Sequence, residues 1–242
     1  MATTFLQLVN QVNRRLNEVE LTSSNFAAAT GFYAHARDAV NASIRYINQS
    51  EFEWPFNHNT KTQTLTANTS RYAFPTDCKV INFDTFRIQE NSTIGNSTTR
   101  ILPMTYEEYL DKFVAQEYNS SSFQGVPTRV VHAPSLEFIL TPEPNAAYVL
   151  TFEYFNFSAD LSANNDTIDI PDRFAHVIVD GAMHYAYLFR GNTQDALVMK
   201  EKFDEGIKYM RSMLINRTRY VRSYMIPQNT GGGLRYGYSS IT

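Results

Sequence analysis

Few side chains in this sequence have the type and spacing that chemistry requires. Glu51 and Glu53 stand beside Trp54 in the run Glu51-Phe52-Glu53-Trp54-Pro55-Phe56. Two carboxylates next to an aromatic platform could cleave or bind a cell-wall glycan. Hydrolysis would need them about 5–10 Å apart in a cleft, whereas Trp54 reads more simply as a core anchor at a helix end. Asp166, Asp169 and Asp172 recur every third residue and could share acid–base work, but loop polarity and helix capping account for them. Of the histidines His35, His58, His132, His176 and His184, the last two share a helix eight residues apart. That is not the four-residue step that converges two imidazoles on a metal, and all five read as structural. Cys78 is the single cysteine, which rules out an internal disulfide and a zinc cluster of several cysteines.

No Gly-x-Ser-x-Gly elbow occurs. Gly231-Gly232-Gly233 is followed by Leu234-Arg235 and not by Lys-Ser/Thr, so it reads as a joint and not as a phosphate cradle. The expectation is therefore no catalytic residue, no metal and no cofactor, in a protein that is not an enzyme.

The C-terminal tail is the compositional exception. Arg217, Arg219, Arg222 and Arg235 interleave with Tyr220, Tyr224, Tyr236 and Tyr238, and residues 218–242 contain no acidic residue. Three readings stand side by side: a disordered end, an arm that docks on another protein, or a basic lining that touches nucleic-acid backbone. Arginine and tyrosine are the residue types that anchor interfaces. All eight are therefore candidate partner-binding residues.

The whole chain has 242 residues, 43% hydrophobic and 19% charged, with a net charge of -3. That suffices for one large or two small domains and argues against a nucleic-acid binder acting through its whole surface. The N-terminal stretch is neither a signal peptide nor an anchor, and no run of about 18 apolar residues occurs. The expectation is a soluble, cytoplasmic chain without membrane contact, in which the Asn-x-Ser/Thr triplets reflect composition and not glycosylation.

Helical spacing runs through Phe5, Val12, Leu16 and Val19, is interrupted by Thr22-Ser23-Ser24-Asn25, and resumes from Phe32 to Ile47. The residue before Pro55 is pushed out of helical geometry, so this second helix ends between Glu51 and Phe56. From Thr60 the period changes to that of strands. Tyr72 to Pro75 and Lys79 to Ile88 read as strands, and Thr105 to Gln116 as a short helix with Thr105 and Glu108 in a capping box. Leu136 to Thr141 and Tyr148 to Phe155 read as a β-hairpin turning at Pro142-Glu143-Pro144-Asn145.

Ile168 to Arg217 reads as two helices broken at Gly191-Asn192-Thr193. The first carries Phe174, Ile178, Gly181, Tyr185 and Leu188 at helical steps and is apolar nearly all round, as a helix inside a bundle must be. The second is amphipathic. The fold class expected is α+β. Residues 1–56 and 168–217 form an antiparallel helix bundle, 57–167 an inserted antiparallel β-sheet or sandwich, and 218–242 an extended arm.

Three stretches together resemble the head-to-tail adaptor, or connector, proteins of short-tailed bacteriophages, of the tail-tubular type. They are Glu51-Phe52-Glu53-Trp54-Pro55-Phe56 closing an early helix, Tyr72-Ala73-Phe74-Pro75 followed by Val80-Ile81, and Ile170-Pro171-Asp172-Arg173-Phe174 opening a helix pair that carries Phe203 and Leu214. The resemblance implies a virion protein of the neck, assembled in the host cytoplasm. Its subunits would form a homo-oligomeric ring, a dodecamer, between the portal protein and the tail nozzle or tail tube protein. DNA would pass through the channel at ejection without being read. By the same resemblance the arm from Thr218 to Thr242 is the candidate for the portal-reaching segment, with Arg217 to Tyr238 supplying the portal-facing residues. The large β insertion departs from the smaller, mostly helical adaptors and leaves open which partner it faces.

Overall fold

The computed structural model describes residues 2–89, 98–113 and 124–215. Five α-helices occur among them: α1 (Phe5–Arg15), α2 (Phe32–Ser50), α3 (Tyr106–Lys112), α4 (Ala175–Phe189) and α5 (Thr193–Leu214). The class is α+β, as the periodicity indicates.

Helix α1 opens on a complete capping box. Thr4 Oγ1 accepts from Gln7 N at 3.3 Å, and Gln7 Oε1 accepts from Thr4 N at 3.0 Å. It stops earlier than the apolar spacing suggests, because Asn17 adopts φ +56°, a conformation that asparagine tolerates and a helix does not. Val19 is consequently 74% exposed and off the buried stripe. Helix α2 ends at Ser50, with Glu51 extended, and Trp54 turns back so that its Nε1 donates to the Ile47 carbonyl at 2.7 Å.

The α4–α5 turn follows the sequence closely. Gly191 sits at φ +77°, where a side chain would be strained, and Asn192 caps α5 by accepting from Asp195 N at 3.3 Å. Pairings along the bundle fix the helix directions. Tyr46 meets Phe203 and Arg211 meets Ser50, so α2 and α5 run parallel. Phe32 meets Phe189 and His35 meets the Tyr185 carbonyl, so α2 and α4 run antiparallel. One continuous core, with Phe5, Phe26, Ile47, Trp54, Ile178 and Phe203 among its members, joins α1, α2, α4 and α5. Leu188, expected on the buried stripe, is 46% exposed, while the next residue, Phe189, stacks on His35 of α2.

Among the described residues the insertion holds ten strands. The first sheet has the order β1-β10-β3-β4, with β1 (His58–Thr64), β10 (Val149–Asn156), β3 (Cys78–Gln89) and β4 (Thr98–Arg100), all antiparallel. The second has the order β2-β8-β7-β5, with β2 (Arg71–Ala73), β8 (Glu137–Thr141), β7 (Arg129–Ala133) and β5 (Leu102–Met104). Its β5–β7 pair is parallel. So is the short pair of β6 (Gln124–Gly125) with β9 (Glu143–Pro144).

The two sheets pack face to face through an aromatic core. The Phe138 ring lies 5.3 Å from Phe86 and 5.5 Å from Phe152, edge to face in both cases. This corrects the hairpin expected over 136–155. β8 and β10 belong to different sheets and face each other across the core, β8 pairing with β2 and β7 and β10 with β1 and β3. The far face of β8, at Ile139, is covered with Val131 and Ala133 by Tyr109 of α3. The α3 cap is half a capping box: Thr105 accepts from Glu108 N at 3.3 Å, while the Glu108 carboxylate turns to Lys112 at 2.6 Å.

Candidate interaction surfaces and the residues expected at a site

The bundle and the sandwich meet where α2 ends. Lys79 of β3 sends its half-buried ammonium to the carbonyls of Asn48 and Glu51. Arg211 of α5 donates to the Ser50 carbonyl at 2.7 Å and pairs with the Glu51 carboxylate at 2.8 Å. Two cations from opposite sides thus satisfy carbonyls that a helix C-terminus leaves without partners, and they complement its negative pole. Burial pushes the Lys79 ammonium below its usual range, against the pull of Glu51.

The segment 158–170 forms a second seam, laid along α2. The Asn41 amide brackets Leu161, donating to its carbonyl at 2.9 Å and accepting from its N–H at 3.1 Å. Arg45 grips both oxygens of Asp160, at 2.7 and 2.5 Å. Phe5 N donates to the Asp166 carbonyl at 2.8 Å and Leu6 N to the Asn164 carbonyl at 3.1 Å. The Asp166 carboxylate accepts from Ser162 N and Ala163 N, both at 2.7 Å. Those N–H groups hold it below the ordinary carboxylate range, the Ser162 one most strongly. Between this segment and α2 opens a cavity of about 480 Å³.

Reactive constellations do not assemble from the residues weighed in the sequence. Glu51 is engaged by Arg211, and Trp54 is fully buried, so it offers no face on which a sugar could stack. Asp172 accepts from Thr3 N at 2.6 Å and helps to fasten the chain start to α4. His184 Nδ1 lies 2.7 Å from the Ala196 carbonyl and His35 Nε2 3.2 Å from that of Tyr185. Each of these nitrogens therefore carries a proton and ties one helix to another. Burial pushes the Cys78 thiol up to about 11, with Asp77 adding to it, which makes it a poor nucleophile at neutral pH. Among the described residues no three His, Cys, Asp or Glu side chains converge as metal ligands, and no helix is long and apolar enough to cross a membrane.

The eight tail residues proposed as partner-binding (Arg217, Arg219, Tyr220, Arg222, Tyr224, Arg235, Tyr236 and Tyr238) lie outside the described residues. What the sequence reading missed is the exposure of four large apolar residues on the two helices flanking the α4–α5 turn. Leu188 and Phe189 are 46% and 56% exposed, and Leu197 and Val198 62% and 52%. A signal for it was present: Leu197 and Val198 fall beside the buried stripe of α5 and not on it. Exposed apolar patches of this kind mark contact surfaces.

Among the described residues the helix bundle and the β sandwich are tied together at the end of α2 by Lys79 and Arg211. The chain belongs to the SU10 adaptor protein family, whose model matches residues 3–229. It is accordingly an adaptor, a structural component of a phage particle. The matched span takes in Arg217 to Tyr224 and ends before Arg235. No curated protein matches the chain.

Proposed function

We propose that this adaptor is the head-to-tail connector of a short-tailed phage. Its subunits form a closed ring, with twelve copies expected, between the portal and the tail nozzle or tail tube, and DNA passes through the ring without sequence recognition. Assembly takes place in the host cytoplasm. The observation that carries this reading is the adaptor family match along 3–229. The exposed side chains of Leu188, Phe189, Leu197 and Val198 support it as apolar surface available to neighbours. In this reading the helix bundle (1–56 with 168–217) and the sandwich (57–167) act as separate bodies facing different neighbours, while the arm 218–242 reaches for the portal. Arginine and tyrosine supply its anchors.

Negative-stain microscopy of the purified chain mixed with portal rings is the direct test. Rings stacked on portals are expected; a chain that stays monomeric and never joins portals overturns the reading. Truncation at Arg217 should abolish portal binding, and unchanged affinity would remove the arm from the assembly.

A further inference from the structure

The cavity between α2 and the segment 158–170 has a divided character. Its inner wall is apolar, with Ile44 and Ile170 buried and Leu161 and Ile168 partly so. Its rim carries Asp160, Asp166 and Asp169. Arg45 neutralises Asp160, but among the described residues no cation pairs with Asp166 or Asp169. The backbone N–H groups on Asp166 keep it anionic. The wall is also preformed, because Asn41, Phe5 and Leu6 hold the segment at three separate points. A cavity of about 480 Å³ with such walls suits side chains with an apolar body and a cationic or phenolic tip.

Residues 216–242 have that composition. They hold four arginines and four tyrosines and none of the 24 acidic residues of the chain, so their charge complements the rim. They are also tethered close by. Helix α5 ends beside Ser50 and Glu51, and Ile44 lies seven residues back along α2, about 10 Å at 1.5 Å per residue. Twenty-seven residues can span roughly 90 Å when extended, enough to pass around the end of α2. A tether of this kind presents the arm at roughly millimolar effective concentration, which a second copy in dilute solution does not match.

We propose that this cavity is the resting seat of the chain's own C-terminal arm, with arginine between 217 and 222 against Asp166 and Asp169 and tyrosine against the Ile44–Leu161–Ile168–Ile170 wall. The inference takes from the proposed function only that 216–242 is a docking arm. It adds that a partner claiming the arm must first displace it from this seat.

The test uses the full chain with a benzophenone amino acid in place of Asp169, an exposed residue with no partner among the described residues. Irradiation should produce cross-links within one chain to peptides from 216–226. In parallel, Asp169→Lys should speed chymotryptic cleavage after Tyr220 and Tyr224 by about tenfold, because cleavage tracks the released fraction. Adding Arg219→Asp and Arg222→Asp should restore slow cleavage. Equal cleavage of wild type and Asp169→Lys overturns the proposal. So do cross-links joining two chains, which would give the cavity to a second copy, and cross-links that avoid the arm. If the arm does not seat here while truncation at Arg217 abolishes portal binding, this inference fails and the proposed function stands. If the arm seats here and truncation leaves portal binding unchanged, this inference stands and only the arm's part in portal binding is lost from the proposed function.

Discussion

The Phe203 ring occupies the space that a side chain on Gly181 would need. A Cβ built at Gly181 would stand 2.7 Å from two of the ring's carbons and would also press on the Ser43 hydroxyl. Three helices meet at this point, α2 with Ser43, α4 with Gly181 and α5 with Phe203, and their backbones come close only because one of them lacks a side chain. Gly181→Ala should therefore destabilise the fold by about 1–3 kcal/mol through overpacking. Chemical denaturation of the purified variants checks it, and Phe203→Leu in the same chain should recover part of the loss. A neutral Gly181→Ala would mean that the helices can part there at no cost.

Gly206 is a milder instance. A Cβ there would meet Val177 at 2.9 and 3.0 Å. Gly206→Ala should cost less than Gly181→Ala, and Val177→Ala should offset it, because the obstacle is one branched side chain. Melting temperatures of the two single variants and the double variant decide between this and independent effects.

Removing the Arg211 side chain, as in Arg211→Ala, should cost about 1–3 kcal/mol. It leaves the Ser50 carbonyl and the Glu51 carboxylate without their cation. Lys79→Met should act on the same helix end from the sandwich side. Since the two cations share the Glu51 residue, their effects should be non-additive in a double-mutant cycle. Strict additivity would show that they act separately.

Cys78 should alkylate slowly. A thiol pushed from 9.0 to about 11 holds roughly a hundredth of the thiolate of an ordinary cysteine near neutrality. Iodoacetamide labelling should be correspondingly slow at pH 8 and climb towards pH 11. Rapid labelling of the folded chain at pH 8 would contradict this placement of the thiol.

Acid should loosen the 158–172 seam. Asp160 is held below 3.8 chiefly by its hydrogen bond from Arg45, Asp166 by the Ser162 and Ala163 N–H groups, and Asp172 by Thr3 N. Carboxyls bound this way stabilise the fold while ionised. Their contribution is present above the unfolded value near 3.8 and is lost as pH falls through the lower folded values. Hydrogen exchange at Ser162 and Ala163 should accelerate below about pH 4 while the amides of α4 stay protected. Uniform acceleration across both would assign the acid response to global unfolding.

The bundle was legible in the sequence because its helices keep a 3.6-residue period and Gly191 with Asn192 marks the turn between two of them, whereas the Thr4–Gln7 capping box emerges only in the structure. The insertion was legible as an antiparallel sheet or sandwich, but not in which strands pair. Phe138 and Phe152 alternate in the manner of hairpin partners, and nothing within 136–155 says that their strands part into two sheets. That outcome depends on β2, β7, β1 and β3, which bury both strands from elsewhere. The expectation that the tail docks rests on its arginine and tyrosine content alone. The cavity could not be read at all, since Arg45 and Asp160, which meet beside it, are 115 residues apart, and a polar loop of Ser, Asn and Asp looks the same whether or not it walls a cavity.

The double grip on the end of α2 also has a mechanical meaning. A pull on the C-terminal end of α5 is carried through the Arg211 guanidinium to Ser50 and Glu51, and from the same residue through the Lys79 ammonium into β3. Traction at the end of α5 thus has a path into the sandwich only a few residues long.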